Sequence, residues 1–230
     1  MKIALVSGTS ISQSDLFNEW DPVTLKTPYG TVEAKTQKNL LLVNRHGVSG
    51  QTPPHAINYK ANLKAVAEWG AESLLSLNSV GSLTPDLPPG TLLSCGDYVS
   101  FDPITFFDDQ VLYQVPRLEN NLLPDIEVVL REDLPKNKVY VQTKGPRFET
   151  PAEIRVVRTW GHVVGMTLAH EADLAGELRV PYTSLAMVDN YANGMGQDPL
   201  TAELFREQIT KNQVRINKVL SLLIHYFEKS

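Results

Sequence analysis

Six short stretches of this 230-residue chain carry side chains suited to holding an anion beside a flat, hydrogen-bonding ring. Asn44-Arg45-His46-Gly47 places an imidazole next to a guanidinium, whose planar fork matches two oxygens of a phosphate or carboxylate. Read alone, the pair equally fits a surface salt bridge beside a loop histidine. Val6-Ser7-Gly8-Thr9-Ser10 is a small-residue turn after an apolar run. It suits donation of N–H and hydroxyl groups to an anion, or simply a tight turn. It has neither the glycine spacing of a dinucleotide fingerprint nor the lysine of a P-loop. Asn78-Ser79-Val80-Gly81-Ser82 is a third such stretch, where glycine and small hydroxyl residues let a backbone approach a ligand closely.

The other three stretches bring ring chemistry. In Gly145-Pro146-Arg147-Phe148-Glu149-Thr150, Phe148 can stack on a planar base and Glu149 can accept a ring N–H. Equally, Phe148 fits a core position and Glu149 complements a helix N-terminus. Gly165-Met166-Thr167 precedes a helical pattern containing His170 and Glu171. Met187-Val188-Asp189-Asn190-Tyr191 offers Asn190, whose amide both donates and accepts as a purine edge requires. Asp189 reads there as a turn residue.

These stretches need elements to hold them. Apolar runs at Ile3 to Val6, Leu40 to Val43, Leu74 to Leu77, Val139 to Val141, Val163-Val164 and Tyr182 to Val188 predict buried strands. Helices are predicted at Ile57 to Trp69, before Gly70, and at Pro151 to Trp160, after the capping box Thr150-Pro151-Ala152-Glu153. A long amphipathic helix is expected over Leu200 to Phe227, opened by Asp198-Pro199. Residues 97 to 137 read as largely irregular, with an element only at Asp125 to Leu130. Alternating strands and helices mean an α/β fold, in which ligands sit beyond the strand C-termini. Each chemical stretch falls there.

Composition narrows the function classes. The lone Cys95 cannot form an internal disulfide and fits a reducing compartment. No apolar run reaches the ~18 residues of a membrane span, and the N-terminus reads as a strand rather than a signal peptide. A cytoplasmic protein with no membrane partner is expected. With 21 basic against 26 acidic residues and no basic cluster, nucleic acid is not an expected partner, while a small anion needs only a local cationic pocket. The histidines and Cys95 lack metal-ligand spacing, so no metal is expected.

Taken in order, the motifs resemble the trimeric purine nucleoside phosphorylase family, in its methylthioadenosine/methylthioinosine phosphorylase branch. The likeness rests on Gly8-Thr9, residues 44–47, Pro54 to Asn62, Asn78 to Leu83, residues 145–150 and Gly165-Met166-Thr167. It implies a single-domain three-layer α/β/α sandwich with a mixed central sheet spanning residues 1–230, assembled as a homotrimer or dimer of trimers. It also implies a phosphate site at Thr9, Arg45, His46, Ser79 and Thr167, with Met166 on the ribose, Asn78 at the ribose/phosphate edge and Phe148 at the base. Adenine-using members place a pattern like Thr-Asp-Tyr-Asp where this chain has Asp189-Asn190-Tyr191-Ala192. Asn190 and Glu149 therefore resemble the 6-oxopurine enzymes: glutamate accepts the N1–H of hypoxanthine, and the asparagine serves O6 and N7.

The implied reaction is phosphorolysis, with phosphate as co-substrate, no cofactor and no covalent enzyme intermediate. Asn190, Thr167 and His46 are its expected catalytic groups. The resemblance favours methylthioinosine, inosine or guanosine over methylthioadenosine. The chain departs from the family pattern at Ser7 and Ser10, which replace glycines, and at Gly50 and His170, which replace histidine and proline. It also departs in the stretch between Asp102 and Lys144, which is shortened where relatives carry a loop that closes the pocket. Two competing expectations follow: a hydrolytic nucleosidase on the same fold, and a purine-nucleoside-binding relative with an opened pocket.

Overall fold

The computed structural model describes residues 1–8, 11, 14–111, 113–196 and 199–229. In chain order the elements are β1 (Ile3–Ser7), β2 (Asp21–Thr27), β3 (Gly30–Gln37), β4 (Leu40–Asn44), α1 (Tyr59–Glu68) and β5 (Ser73–Ser82). They continue with β6 (Leu92–Leu93), β7 (Cys95–Val99), α2 (Leu123–Leu130), β8 (Lys138–Gln142), α3 (Pro151–Val157) and β9 (Val163–Gly165). Last come α4 (Leu168–Glu177), β10 (Tyr182–Tyr191) and α5 (Ala202–Phe227). One mixed sheet runs β2-β3-β4-β1-β5-β9-β8-β7, with β10 on the other side of β5 and β6 on β10.

The apolar runs are continuous because the central strands are covered on both faces. Ala4, Val6, Leu41, Val43 and Leu74 face one core with α1 and α4, including Leu63, Val66 and Leu168. Ile3, Leu5, Leu40, Leu42 and Leu75 face the other with α2 and α5, including Ile126, Ile216, Leu220 and Phe227. This is the expected three-layer arrangement.

All six predicted strands are present, and the differences lie elsewhere. The first helix starts at Tyr59 because the Asn58 side chain accepts from the Ala61 N–H, leaving Ile57 extended. The Thr150 capping box forms as read, but α3 ends at Val157. The last helix begins at Ala202 under a Thr201 cap; Asp198 lies outside the described residues. The middle stretch contains the end of β7 and two residues of α2 ahead of Asp125, both more than expected, and β6 just before it was not anticipated either. The β2–β3 hairpin was not anticipated. Its signal is a weak alternation, Val23 and Leu25 against Val32 and Ala34, on strands otherwise open to solvent.

β5 creates the place for a site. On one side it pairs with β10 from Leu74 to Ser82. On the other it pairs with β1 only as far as Leu77, and β9 joins from Gly81. Asn78, Ser79 and Val80 therefore border an opening where β1 departs and β9 has yet to arrive. Such switch points are where open α/β sheets bind ligands.

Candidate active site at the β5 opening

Eight of the ten side chains singled out from the sequence line one cavity of about 270 Å³ at this opening: Arg45, His46, Ser79, Phe148, Glu149, Met166, Thr167 and Asn190. Thr9 lies outside the described residues. Asn78 is fully buried behind the wall and donates to Thr167 Oγ1 at 2.9 Å. It orients a lining residue and does not itself line the cavity.

Arg45, just past β4, is 3% exposed. Its Nε and Nη2 bond the Glu171 carboxylate at 2.6 and 3.2 Å, and Nη2 also bonds Ser76 Oγ and the Val6 carbonyl. The fork thus faces Glu171, itself 1% exposed on α4, which also accepts from Ser76 and Tyr182. Burial opposes the Arg45 charge, but the field and hydrogen bonds of Glu171 more than offset it and hold the cation. Nη1 donates one hydrogen to the Leu77 carbonyl and keeps a second, under Gly8. A Cβ on Gly8 would come within 2.7 Å of the His46 ring and 3.1 Å of Nη1. Only glycine allows the backbone at position 8 to lie this close to both.

His46 Nδ1 lies 2.7 Å from the Thr52 carbonyl, so Nδ1 carries the hydrogen and a neutral ring presents Nε2 as an acceptor. Burial and the Arg45 charge lower its pKa, against the opposing pull of the Thr52 carbonyl and Glu171. Near neutral pH the ring is uncharged.

Thr167 is the N-cap residue of α4, yet its hydroxyl makes no capping bond. The helix start is satisfied from β8 instead: the Tyr140 hydroxyl accepts from the Thr167 N–H at 3.0 Å, and Gln142 Oε1 accepts from the Ala169 N–H. The Thr167 hydroxyl, not needed for the cap and held by Asn78, lines the cavity. Beside it, Tyr59 donates to the Met166 carbonyl at 3.1 Å. The Met166 side chain packs over Gly145, whose φ of +67° and lack of a Cβ permit the close approach.

At the far end, the Thr143 hydroxyl donates to Glu149 Oε1 at 2.6 Å and holds the carboxylate. Phe148, 36% exposed, meets Phe205 of α5 edge-on, with centroids 5.1 Å apart and planes at 73°. Asn190 Nδ2 donates to the Tyr191 carbonyl at 2.7 Å and retains a second hydrogen and its carbonyl oxygen. Leu200, Phe205, Val164 and Ala192 complete an apolar wall.

Sequence reading assigned no role to Tyr140, Gln142, Ser76 or Thr143, and noted Glu171 without one. Glu171 had a signal: an acid between Leu168 and Ala175 on the apolar side of α4. Leu200 and Phe205 had none, because nothing local tells which way the end of α5 leans.

A site with cationic and hydroxyl donors at one end and an aromatic, carboxylate and amide at the other can hold an anion against a heterocycle. Residues 2–225 match the Phosphorylase superfamily. A probable S-methyl-5'-thioinosine phosphorylase of Methanocaldococcus jannaschii is 36% identical, covering 97% of this chain and 92% of the relative. A 6-oxopurine nucleoside phosphorylase of Pyrococcus furiosus is 34% identical over 99% and 94%. The fold superposes on a Schistosoma mansoni methylthioadenosine phosphorylase in complex with adenine, with a TM-score of 0.80 at 20% identity, covering all of this chain and 92% of that one.

Proposed function

The chain belongs to the Phosphorylase superfamily, and from that premise we propose that it cleaves purine nucleosides with inorganic phosphate. The observation that carries the reading is one cavity at the β5 opening that brings together Arg45, His46, Ser79 and Thr167 at one end and Phe148, Glu149 and Asn190 at the other. Phosphate bound at the first end attacks C1′ of a sugar lying along Met166. The C1′–N9 bond breaks, its electron pair passes to the base, and a C1′–O bond to phosphate forms. The nucleophile arrives as a substrate, so the chain needs to supply only position and charge. His46, uncharged with Nε2 open, accepts a hydrogen bond from a phosphate O–H. Asn190 donates to the base as it becomes electron-rich.

Base choice follows from Glu149. A carboxylate held by Thr143 accepts the N1–H of a 6-oxopurine, whereas the bare N1 of adenine would face it unfavourably. Methylthioinosine, inosine and guanosine are the proposed substrates, ahead of methylthioadenosine. Residues 1–230 act as one phosphorylase domain, with phosphate as co-substrate and no cofactor, assembled as a trimer or dimer of trimers in the cytoplasm. No helix of the described residues is long and apolar enough to cross a membrane.

The test is a phosphorolysis assay on methylthioinosine, inosine, guanosine and methylthioadenosine. The expected result is phosphate-dependent release of hypoxanthine or guanine at rates above adenine. Base release that ignores phosphate would make the chain a nucleosidase; binding of nucleosides without turnover would make it a binding relative.

A further inference from the structure

Behind Ser79 lies a carboxylate that the reaction above does not use. The register between β5 and β10 slips between Val188 and Asn190, so Asp189 is the extra residue of a bulge. The bulge turns it inward, 1% exposed, with Oδ2 accepting from the Ser79 hydroxyl and Oδ1 accepting from Asn212 Nδ2 at 2.7 Å. Asn212 is itself buried on α5, where it also bonds the Val188 carbonyl and accepts from Gln208.

No cation pairs with Asp189 among the described residues. From β5 it meets Ser79 and from α5 it meets Asn212, while the loop over residues 88–91 brings backbone groups to Val188. Arg215, the cation that α5 turns toward this loop, is taken by the Gly90 carbonyl and Glu132. Within the cavity, Arg45 pairs with Glu171, His46 bonds Thr52 and Glu149 bonds Thr143. Burial accordingly raises the Asp189 pKa to about 6, against the pull of Asn212.

A serine hydroxyl has one hydrogen. While Asp189 is ionised, that hydrogen points at Oδ2 and Ser79 offers the cavity only lone pairs, which repel an anionic oxygen. When Asp189 is protonated, the bond can reverse: Oδ2–H donates to Ser79 Oγ, and the serine hydrogen is released toward the cavity. We propose that Asp189 is a positioning residue that makes phosphate binding proton-linked, by setting which way the Ser79 hydroxyl donates. The proposal rests on the reading that Ser79 belongs to the phosphate end. A bound phosphate then carries a proton onto Asp189, and phosphate affinity falls as pH rises above the carboxyl's own range.

Asp189→Asn is the matched variant, since its amide can accept from Asn212 while donating permanently to Ser79. Phosphate binding is measured by calorimetry, and phosphate KM by phosphorolysis, from pH 6 to 8 in wild type, D189N and S79A. Comparison at equal pH cancels the titration of phosphate and of His46. Wild-type affinity relative to D189N should fall about fivefold from pH 6 to 7 and about ninefold more by pH 8. Calorimetry in buffers of different ionisation enthalpy should show extra proton uptake in wild type only. S79A should bind phosphate more weakly than wild type at pH 6 and converge on it by pH 8, a readout that stands even if D189N does not fold. Parallel pH profiles in wild type and D189N, or an S79A deficit unchanged across pH, overturn the proposal. Wild-type phosphate affinity in S79A at every pH instead removes Ser79 from the phosphate end and sinks the reading beneath it.

Discussion

At the Arg45 end of the cavity, Arg45, His46, Ser79 and Thr167 are each fixed by a partner behind them: Glu171, Thr52, Asp189 and Asn78. At the Phe148 end, Phe148 and Phe205 lean on one another at a half-open rim, and α5 begins with two largely exposed turns. The first end is a set of polar groups, each held in place from behind, built from strand ends and the start of a buried helix. The second is an apolar wall that one long helix completes. Preorganised donors reduce the reorganisation needed when charge develops, whereas an apolar wall selects by shape and area. Fold stability and anion handling should therefore be coupled at the first end, and separable at the second.

The sharpest way to break that contrast is Glu171→Gln. It leaves the Arg45 guanidinium buried without a counter-charge, a change of the kind that costs about 3–5 kcal/mol. We expect a large fall in thermal midpoint together with loss of phosphate-dependent turnover. A variant that melts like wild type would mean the buried pair does not hold the anion end together.

Next in size is Asn190→Ala. Asn190 lines the cavity but supports no element beyond its own bond to Tyr191. Loss of a preorganised donor to a departing group typically lowers kcat by 10²–10³, and here the thermal midpoint should barely move. Asn190→Asp should in addition shift preference toward adenine nucleosides. If base preference in N190D matched wild type, the amide would not be reading the ring.

How much of this was visible in the chain itself differs between the two ends. The strands announced themselves as apolar runs because both sheet faces are buried, and the α3 capping box was legible letter by letter. So were Arg45, His46 and Thr167, which follow those runs. Their supports were not. Arg45 and Glu171 lie 126 residues apart, and only the sheet order brings them together. Asp189 read as a turn residue because the bulge that buries it depends on the register between β5 and β10, which no local pattern encodes. Thr167 was read as a phosphate ligand, but its freedom to act as one depends on Tyr140 and Gln142 capping α4 in its place.

The smallest expected effect tests the softer end. Phe205 meets Phe148 edge-on at 5.1 Å and reaches the cavity from the first turn of α5. Such aromatic pairs contribute about 0.5–1.5 kcal/mol beyond their buried area. Phe205→Ala should therefore raise nucleoside KM by roughly 2- to 12-fold, since about 1.4 kcal/mol corresponds to a factor of ten. Phosphate KM should stay near wild type, because the polar groups at the other end are fixed by Glu171, Thr52 and Asn78. The core packing of α5 begins only at Ile209, so the thermal midpoint should also hold. Equal increases in both KM values would show that the aromatic rim and the anion end move as one body.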